Sequence, residues 1–325
     1  MTNGPGTVLR TWGKKLREPH LVLGIGELLW DVLPAGKRLG GAPANFSVMA
    51  GRLGNHAVIL SRIGRDELGR EAVHVLDPLP ADTAFLQIDK VHETGRVTVE
   101  FSNGQPAYTI HQPAAWDSLE LSDEWVQLAE RADAICFGSL AQRSVESRQT
   151  IQTLAAQTPS RCVRVFDVNL RPPFYSSEVI QESLELATVV KMNDAEVPLV
   201  LALLGMPVED AGDPAYLRSS AERLLVEFPT LQMVAITRGA HGSLLATREE
   251  WHEHAGFTAK VADTIGAGDA FTAAMTHYML RGAELAVLNE AGNRWGSWMA
   301  SQTGAMPPLP VDVRSGIEAA IEQSV

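Results

Sequence analysis

A run of small residues ahead of an apolar stretch is the most informative feature of the sequence. Residues 263–269 read Asp-Thr-Ile-Gly-Ala-Gly-Asp and directly precede a predicted helix, Ala270 to Arg281. The backbone N–H groups of Gly266, Ala267 and Gly268 can converge at the start of that helix, where unsatisfied donors and the helix dipole favour an anion. The segment therefore predicts a site for a phosphate-sized anion.

The carboxylate of Asp269 falls in the first turn of the same helix. An acidic group that faces a phosphate is most useful as the base for a hydroxyl that attacks phosphorus. We expect the helix start to lower the pKa of Asp269, which phosphoryl transfer tolerates because its loose transition state leaves proton removal late. The alternative is a tight glycine turn in which Asp269 only complements the helix dipole.

A second glycine segment offers groups suited to hydroxyls. Residues 40–45 read Gly-Gly-Ala-Pro-Ala-Asn, and the proline suits the first turn of a helix predicted over Ala44 to Leu53. The amide of Asn45 can donate and accept, and the carboxylate of Asp31 can accept from two hydroxyls at once. This chemistry fits neighbouring sugar hydroxyls, whereas the alternative is a glycine turn with solvated side chains.

Two further polar segments follow predicted strands. Asn193 as an N-cap with Glu196 three residues later makes a capping box, which is the local explanation. Alternatively, Glu196 orders water around Mg²⁺, an ion that keeps several waters and uses few protein carboxylates. The glycines between Thr237 and Gly242 would admit a nucleotide phosphate or ribose close to the backbone, and a simple turn fits them equally well.

The elements that must position these residues alternate along the chain. Short β-rich runs and helix-period segments follow one another, which predicts an α/β fold with a mostly parallel central sheet and helices on both faces. The predicted strands are Leu21–Ile25, Ala57–Ile63, Ala134–Gly138, Val163–Asp167, Val189–Met192 and Met233–Thr237. The other predicted helices are Val179–Ala187, Ala195–Leu204, Pro214–Phe228, Leu285–Thr303 and Val311–Ile321. Ligands of such sheets bind beyond the carboxyl ends of the strands, where Glu27, Asp167 and Asn169 fall.

One region breaks the alternation. Arg96–Phe101 and Ala107–Ile110 alternate apolar and polar residues around Asn103-Gly104, which is a strong hairpin signal. With the extended stretch Leu28–Leu39 it predicts a small β-lid over the strand ends. We therefore expect a single α/β domain over residues 20–325, a lid built from about 28–40 and 85–115, and a mobile tail over 1–19. An exposed hairpin edge gains from being covered, so we also expect a homodimer through the lid.

Composition excludes several classes of protein. The 325 residues carry a formal net charge of −12, which repels a nucleic-acid backbone. No apolar run approaches the roughly 20 residues that span a bilayer. The two cysteines, Cys136 and Cys162, stand in apolar stretches, which is typical of buried thiols in a cytoplasmic protein. The chain lacks a G-x-x-x-x-G-K-[ST] P-loop, and Leu29 breaks the G-x-G-x-x-G dinucleotide pattern that begins at Gly24.

The two glycine segments together strongly resemble the two signatures of the ribokinase-like, or PfkB, family of sugar kinases. The Gly-Gly-Ala-Pro-Ala-Asn form of residues 40–45 is similar to fructokinases in particular. Matching stretches run along nearly the whole chain after the tail: Gly26-Glu27 with Asp31, Leu53-Gly54, 63–69, 167–171, 193–196 and 237–242. This resemblance implies a ribokinase-like three-layer sandwich.

The resemblance also implies an ATP-dependent kinase. Asp269 would be the base, and the N–H groups of Gly266, Ala267 and Gly268 would hold the transferring phosphoryl group. The remaining implied roles are sugar binding by Asp31, Gly41, Asn45 and Arg171; ATP binding by Asn193, Thr237, Gly239, Gly242 and Asn293; Mg²⁺ held through water by Glu196; and a monovalent cation such as K⁺ at Asp263 and the carbonyl of Ile265.

The acceptor is the least determined part of this hypothesis. Ala42 and Pro43 replace the lysine and glycine of ribokinase itself, which argues against ribose. Fructose is the expected substrate, and a 2-keto-3-deoxygluconate kinase is the alternative. From a different class, a non-catalytic nucleotide-binding protein on a kinase scaffold also fits the motifs.

Overall fold

The structure, a computed structural model, describes residues 19–33, 36–102, 105–208 and 215–324. Its strands are β1 (Leu21–Ile25), β2 (Leu29–Leu33), β3 (Gly36–Gly40), β4 (His56–Leu60), β5 (Arg62–Gly64), β6 (Gln87–Asp89), β7 (Gly95–Ser102), β8 (Gln105–Ile110), β9 (Ala134–Gly138), β10 (Val163–Asp167), β11 (Val189–Asn193), β12 (Met233–Thr237), β13 (Ser243–Ala246) and β14 (Trp251–His254). Residues 1–18 of the expected tail and the turn Asn103-Gly104 lie outside the described ranges.

Eight strands form the central sheet in the order β14-β13-β12-β11-β10-β9-β1-β4. The six strands from β4 to β12 run parallel, and β13 and β14 add antiparallel pairs at one edge. The prediction of a mostly parallel sheet is confirmed. The single strand expected over Ala57–Ile63 is wrong, because the chain leaves the sheet at Ser61, whose hydroxyl donates to the Gly26 carbonyl at 2.6 Å. The residues that follow pair with β6 instead.

Ten helices are present in the described part of the chain: α1 (Ala42–Arg52), α2 (Glu67–Leu76), α3 (Asp123–Ala129), α4 (Val145–Gln157), α5 (Ser177–Leu186), α6 (Val197–Leu203), α7 (Tyr216–Glu227), α8 (Ala267–Met279), α9 (Leu285–Ala300) and α10 (Val311–Gln323). Three of them, α2, α3 and α4, were not predicted. Each begins after a side-chain N-cap, Asp66, Ser122 or Ser144, which is a start signal that the sequence does contain.

Alternating strand residues supply the two faces of the sheet. Apolar side chains of α1, α8, α9 and α10 pack with Val22, Cys136 and Val165 on one face. Those of α3 to α7 pack with Leu23, Phe137 and other core residues on the opposite face. The expected α/β sandwich is confirmed, and both cysteines are buried free thiols. Within the described ranges, no helix has the length and apolar character needed to cross a bilayer.

A separate four-stranded sheet has the order β3-β2-β7-β8. This sheet contacts the rest of the protein through Trp30, which packs with Leu39, Val48 and Leu76 in a small hydrophobic cluster. The Trp30 indole also donates to the Leu68 carbonyl at 3.0 Å. This contact fixes β2 and β3 against α2, so the strand that carries Asp31 has a defined place relative to the central sheet.

The Trp30→Phe variant should unfold more easily because it removes the indole N–H that donates to the Leu68 carbonyl and leaves a smaller side chain in the core that Trp30 fills. We expect a loss of about 2 kcal/mol in the free energy of unfolding, measured by urea titration. Trp251→Phe is the control, since Trp251 is 45% exposed, and it should change stability by less than about 0.5 kcal/mol. Equal effects of the two variants would contradict the anchoring role.

Candidate active site

The two glycine segments meet at the carboxyl edge of the central sheet. Each stands at the start of a helix, α1 or α8, and these helices pack against each other. The amide Nδ2 of Asn45 donates to Oδ2 of Asp269 at 2.7 Å, across 224 residues of sequence. Asn45 is buried, so this hydrogen bond joins the predicted sugar-binding segment directly to the predicted base.

The segment Gly266 to Gly268, called the anion loop below, has the backbone conformation that its glycines predict. Gly266 is the N-cap of α8 with a left-handed φ of 78°, and a β-carbon there would lie 2.9 Å from Cα of Ala305. The helix begins at Ala267, three residues earlier than predicted, so Ala267, Gly268 and Asp269 form its first turn. N–H groups of a first turn lack partners within the helix, which suits them to an anion, although the Ala267 N–H donates to the Thr264 carbonyl at 3.3 Å.

The pKa of Asp269 departs from the expectation. We predicted that the helix start would lower it, but burial, with the negative charge of Asp167 second, raises the pKa of Asp269 to about 6. The Asn45 hydrogen bond and the positive charges of Lys191 and Arg171 act in the opposite direction. Loss of hydration therefore outweighs the helix dipole, and Asp269 becomes a better base than predicted.

A buried ion pair lies beneath the loop. Nζ of Lys191 on β11 is 3.1 and 3.2 Å from the two carboxylate oxygens of Asp167 on β10, and Thr272 on α8 donates to the same carboxylate at 3.0 Å. A β-carbon on Gly268 would lie only 2.8 Å from Lys191 Nζ. Gly268 is therefore small for a second reason, because the lysine ammonium occupies the space behind it.

Glu27 organises the start of α1. Its Oε1 accepts from the Ala42 N–H at 3.1 Å, while Oε2 is buried without a hydrogen-bond partner. Burial, the largest cause, raises the pKa of Glu27 to about 7, and the nearby charge of Asp269 adds to the shift. Gly41 has a φ of 116°, and a β-carbon there would lie 2.2 Å from the Glu27 carbonyl oxygen. Only glycine fits this turn.

Asp31 lies on strand β2 of the four-stranded sheet. A β-carbon on Gly40 would lie 3.3 Å from the Asp31 carboxylate, so this group borders the second glycine segment. Burial raises the pKa of Asp31, and the positive charges of Arg171 and Arg38 oppose that shift. Asp31 thus lies beside the second glycine segment, and its role in binding a sugar stays a prediction.

Arg171 follows a bend in the backbone at the end of β10. Asn169, two residues before it, has a φ of 41°, the one left-handed non-glycine residue in the described ranges. Arg171 is exposed, and the one hydrogen bond that its guanidinium donates to the described residues runs from Nη1 to the Leu170 carbonyl, at 3.1 Å. Its charge lowers the pKa values of Asp31, Asp269 and Glu27, so the guanidinium lies near all three carboxylates.

The reciprocal hydrogen bonds of the predicted capping box are present between Asn193 and Glu196, but Asn193 is not the N-cap, because α6 begins at Val197, two residues later than predicted, with Glu196 as its N-cap residue. Oδ1 of Asn193 accepts from the Glu196 N–H, and Oε2 of Glu196 accepts from the Asn193 N–H, both at 2.9 Å. Oε1 of Glu196 accepts from the Leu170 N–H at 2.8 Å. Since both carboxylate oxygens hold backbone amides, contact with magnesium through water fits Glu196 better than direct ligation. No group of three His, Cys, Asp or Glu side chains in the described ranges could cage a metal.

The predicted ATP-binding residues follow one another along the sheet. Thr237 stands opposite Asn193 in the parallel register and opposite Ser243 in the antiparallel one. Nδ2 of Asn293 lies 2.6 Å from the Ser243 hydroxyl. Gly242 has a φ of 78° and a β-carbon there would meet the His254 carbonyl at 1.9 Å. At Gly239, with a φ of 56°, the space for a side chain is open.

Asp263 is already paired with a cation of the protein itself. Nη1 of Arg38, on lid strand β3, donates to Oδ2 of Asp263 at 2.7 Å, and the Gly304 N–H donates to the same oxygen at 3.2 Å. The Ile265 N–H donates to Oδ1 at 3.1 Å. The carboxylate that is predicted to hold a monovalent cation thus accepts three hydrogen bonds from the protein itself.

Three site residues were not assigned roles from the sequence: Lys191, Thr272 and Arg38. Lys191 interrupts the apolar run of β11, and a charged residue inside a buried strand signals a buried partner. Arg38 has no such signal, because its partner lies 225 residues away. Its contact depends on the fold alone.

The fold and the site together define an α/β protein in which a glycine-bounded helix start lies beside a buried carboxylate. A family model for pfkB family carbohydrate kinases matches residues 26–312. The chain therefore belongs to the pfkB family of carbohydrate kinases, and the ribokinase-like fold expected from the sequence is confirmed.

Individual relatives differ in what they phosphorylate. The fructokinase of Escherichia coli is 28% identical over 312 residues, covering 88% of this chain and 95% of that protein. The ATP-dependent 6-phosphofructokinase of Thermoanaerobacterium thermosaccharolyticum is 26% identical over 303 residues, covering 89% and 90%. A sugar kinase of Pyrococcus horikoshii, solved in complex with ATP, superposes with a TM-score of 0.74 at 27% identity, covering 88% and 94%.

The Asn45→Ala variant should raise the pKa of Asp269 above about 6, because the lost hydrogen bond favours the ionised carboxylate. Activity that needs ionised Asp269 falls as the pH drops through this pKa, so the acid limb of the profile of kcat/KM should move to higher pH. The measurement is kcat/KM for ADP release from pH 5 to 9. An unchanged acid limb would show that the amide does not set the ionisation of Asp269.

Proposed function

We propose that the protein is an ATP-dependent sugar kinase that transfers the terminal phosphoryl group of ATP to a hydroxyl of a small sugar, most favourably fructose. The observation that carries this proposal is the 2.7 Å hydrogen bond between Asn45 and Asp269. This bond brings the Asn45 amide to Asp269, which has a pKa of about 6, at the start of α8. We assign sugar binding to the amide, proton acceptance to the carboxylate and anion binding to the helix start. Phosphoryl transfer needs these three functions together.

In the proposed reaction, an oxygen of the sugar hydroxyl attacks the terminal phosphorus of ATP. The new O–P bond forms as the bond to the ADP oxygen breaks, and the hydroxyl proton goes to Asp269. Above its pKa of about 6, Asp269 is ionised and ready to accept that proton. The N–H groups of Gly266 and Gly268 would face the charge on the transferring group, and the Ala267 N–H would join them by leaving the Thr264 carbonyl, to which it donates at 3.3 Å.

Magnesium, when bound with the phosphates, would neutralise part of their charge. Glu196 would hold it through water, because its own oxygens are engaged with the Leu170 and Asn193 amides. Lys191 would add a fixed positive charge behind Gly268. The nucleotide would lie along Asn193, Thr237, Gly239 and Gly242 toward Asn293.

On the sugar side, Asp31 would accept hydroxyl protons in hydrogen bonds while Asn45 and the backbone at Gly41 complete the site. A neutral sugar needs no cationic partner, and fructokinases are among the relatives with near full-length coverage. One observation favours the second candidate, 2-keto-3-deoxygluconate. Among the described residues, the exposed Arg171 guanidinium donates to the Leu170 carbonyl alone, which leaves donors for a substrate carboxylate.

Loss of the base should remove most turnover. Asp269→Ala should lower kcat by about 10²- to 10⁴-fold while leaving ATP binding measurable by calorimetry. The matched control is Asp194→Asn, an exposed carboxylate in the turn before α6, which should retain near-normal turnover. A normal kcat for the Asp269→Ala variant would show that Asp269 is not the base.

A sugar panel in a coupled ADP-release assay should identify the acceptor. Fructose should give the highest kcat/KM, and Arg171→Ala should lower kcat/KM for 2-keto-3-deoxygluconate more than for fructose because only the acid offers a carboxylate to the guanidinium. A higher kcat/KM for the acid in the native protein would transfer the proposal to the second candidate. Absence of turnover across the panel would favour the non-catalytic nucleotide-binding protein.

The domain limits, a homodimer through the lid and a cytoplasmic location stay predictions, as do the absence of nucleic-acid and membrane partners.

A further inference from the structure

We propose that Arg38 is a built-in cation that takes the place of a monovalent ion at Asp263, so that turnover does not depend on K⁺. The resemblance of the anion-loop segment to its family implied an ion held by the Asp263 carboxylate and the Ile265 carbonyl. The residues present do not fit that ion. A guanidinium from lid strand β3 already stands at the carboxylate.

Three hydrogen bonds occupy most of the roughly four acceptor sites of the Asp263 carboxylate. Oδ2 accepts from Arg38 Nη1 at 2.7 Å and from the Gly304 N–H at 3.2 Å, and Oδ1 accepts from the Ile265 N–H at 3.1 Å. The side chain of Asp263 is only 16% exposed. An ion from solution would have to displace a charge-assisted hydrogen bond in a largely enclosed place, and it would then sit beside a guanidinium of the same sign.

The position of Arg38 is fixed by its strand rather than by chance. Arg38 stands opposite Asp31 in the antiparallel register of β2 and β3. Its methylene stem borders the turn at Gly304, where a β-carbon would lie 3.7 Å from Arg38 Cδ. The same turn supplies the Gly304 amide to Asp263. Strand register, stem packing and carboxylate therefore select one place for the guanidinium.

The charge has a clear electrostatic purpose. Asp263 precedes Gly266 by three residues, so an uncompensated carboxylate would stand next to a loop that must attract phosphate. Pairing with a positive charge removes that repulsion. Arginine supplies such a charge at every accessible pH, and because it is part of the chain, its occupancy does not vary with the salt in solution.

The experiment compares the native protein in KCl, NaCl and tetramethylammonium chloride at equal ionic strength, with ADP release as the readout. The rates of the native protein in the three salts should agree within about twofold, which corresponds to only a small difference in activation free energy. Arg38→Met should lose about tenfold or more in kcat/KM in tetramethylammonium, since loss of one charge-stabilising group commonly costs that much. KCl should restore most of the loss.

Lys37→Met is the matched control. Lys37 is the neighbour of Arg38 on β3, but it pairs with Glu71 on α2. This variant should show neither the loss nor a response to K⁺. Arg38→Lys keeps a positive charge and should fall between the native protein and Arg38→Met, with a smaller response to K⁺.

A binding readout separates this inference from the proposed function, on whose kinase activity the rate measurements rest. In thermal melting of the whole chain, KCl should raise the Tm of Arg38→Met relative to tetramethylammonium chloride and leave the native Tm unchanged. If none of the sugars is phosphorylated, the proposed function is refuted, and the melting comparison still tests the role of Arg38.

Strong stimulation of the native protein by K⁺ would overturn the inference. So would an Arg38→Met variant that keeps native rates without K⁺, or one whose loss K⁺ does not restore. If Arg38→Met fails to fold, the native salt comparison and Arg38→Lys decide the question by the same criteria.

Discussion

The hydrogen bond between Asn45 and Asp269 requires two helices to start at the same point, and the rest of the structure provides for this. Helix α1 lies so close to β1 that a β-carbon on Gly24 would be 2.2 Å from the Ser47 hydroxyl oxygen. Helix α8 approaches α9 equally closely, since a β-carbon on Gly292 would be 2.6 Å from the Phe271 ring. These close approaches set the two helix starts against each other at the carboxyl edge of the sheet.

The same convergence concentrates negative charge in a place with little water. Glu27 and Asp269 both have raised pKa values, with burial as the largest cause. At a pH above these pKa values both carboxylates are ionised while buried, which lowers the free energy of unfolding. In the unfolded chain the same charges are hydrated and carry no such cost. Lys191 forms an ion pair with Asp167 and so offsets part of the repulsion between Asp167 and Asp269. A raised pKa is useful for a base near neutral pH, so the destabilising burial of Asp269 and its proposed chemistry have one origin.

Much of this arrangement could be predicted from the sequence, since local patterns determine it. Five of the six predicted strands begin where expected, and Asp269 falls in the first turn of its helix because the preceding glycines mark the start. What could not be predicted depends on distance in space. The helix dipole acting on Asp269 is visible in the sequence, whereas its burial and the charge of Asp167 appear only in the fold, and they reverse the pKa shift. The partner of Arg38 is hidden for the same reason.

The cations near the anion loop also change how the net charge of −12 should be understood. Arg38 is paired with Asp263, and Lys191 with Asp167. Each pair is close to neutral as a unit, so neither alone gives the cleft a strong positive field. Arg171, which has no carboxylate within ion-pairing distance among its described contacts, offsets Asp31, Glu27 and Asp269 only at longer range.

The attraction for phosphate must therefore come chiefly from the oriented N–H groups at the start of α8, which remain positive whatever the surrounding carboxylates do. The ion pairs serve that end by preventing Asp263 and Asp167 from cancelling it.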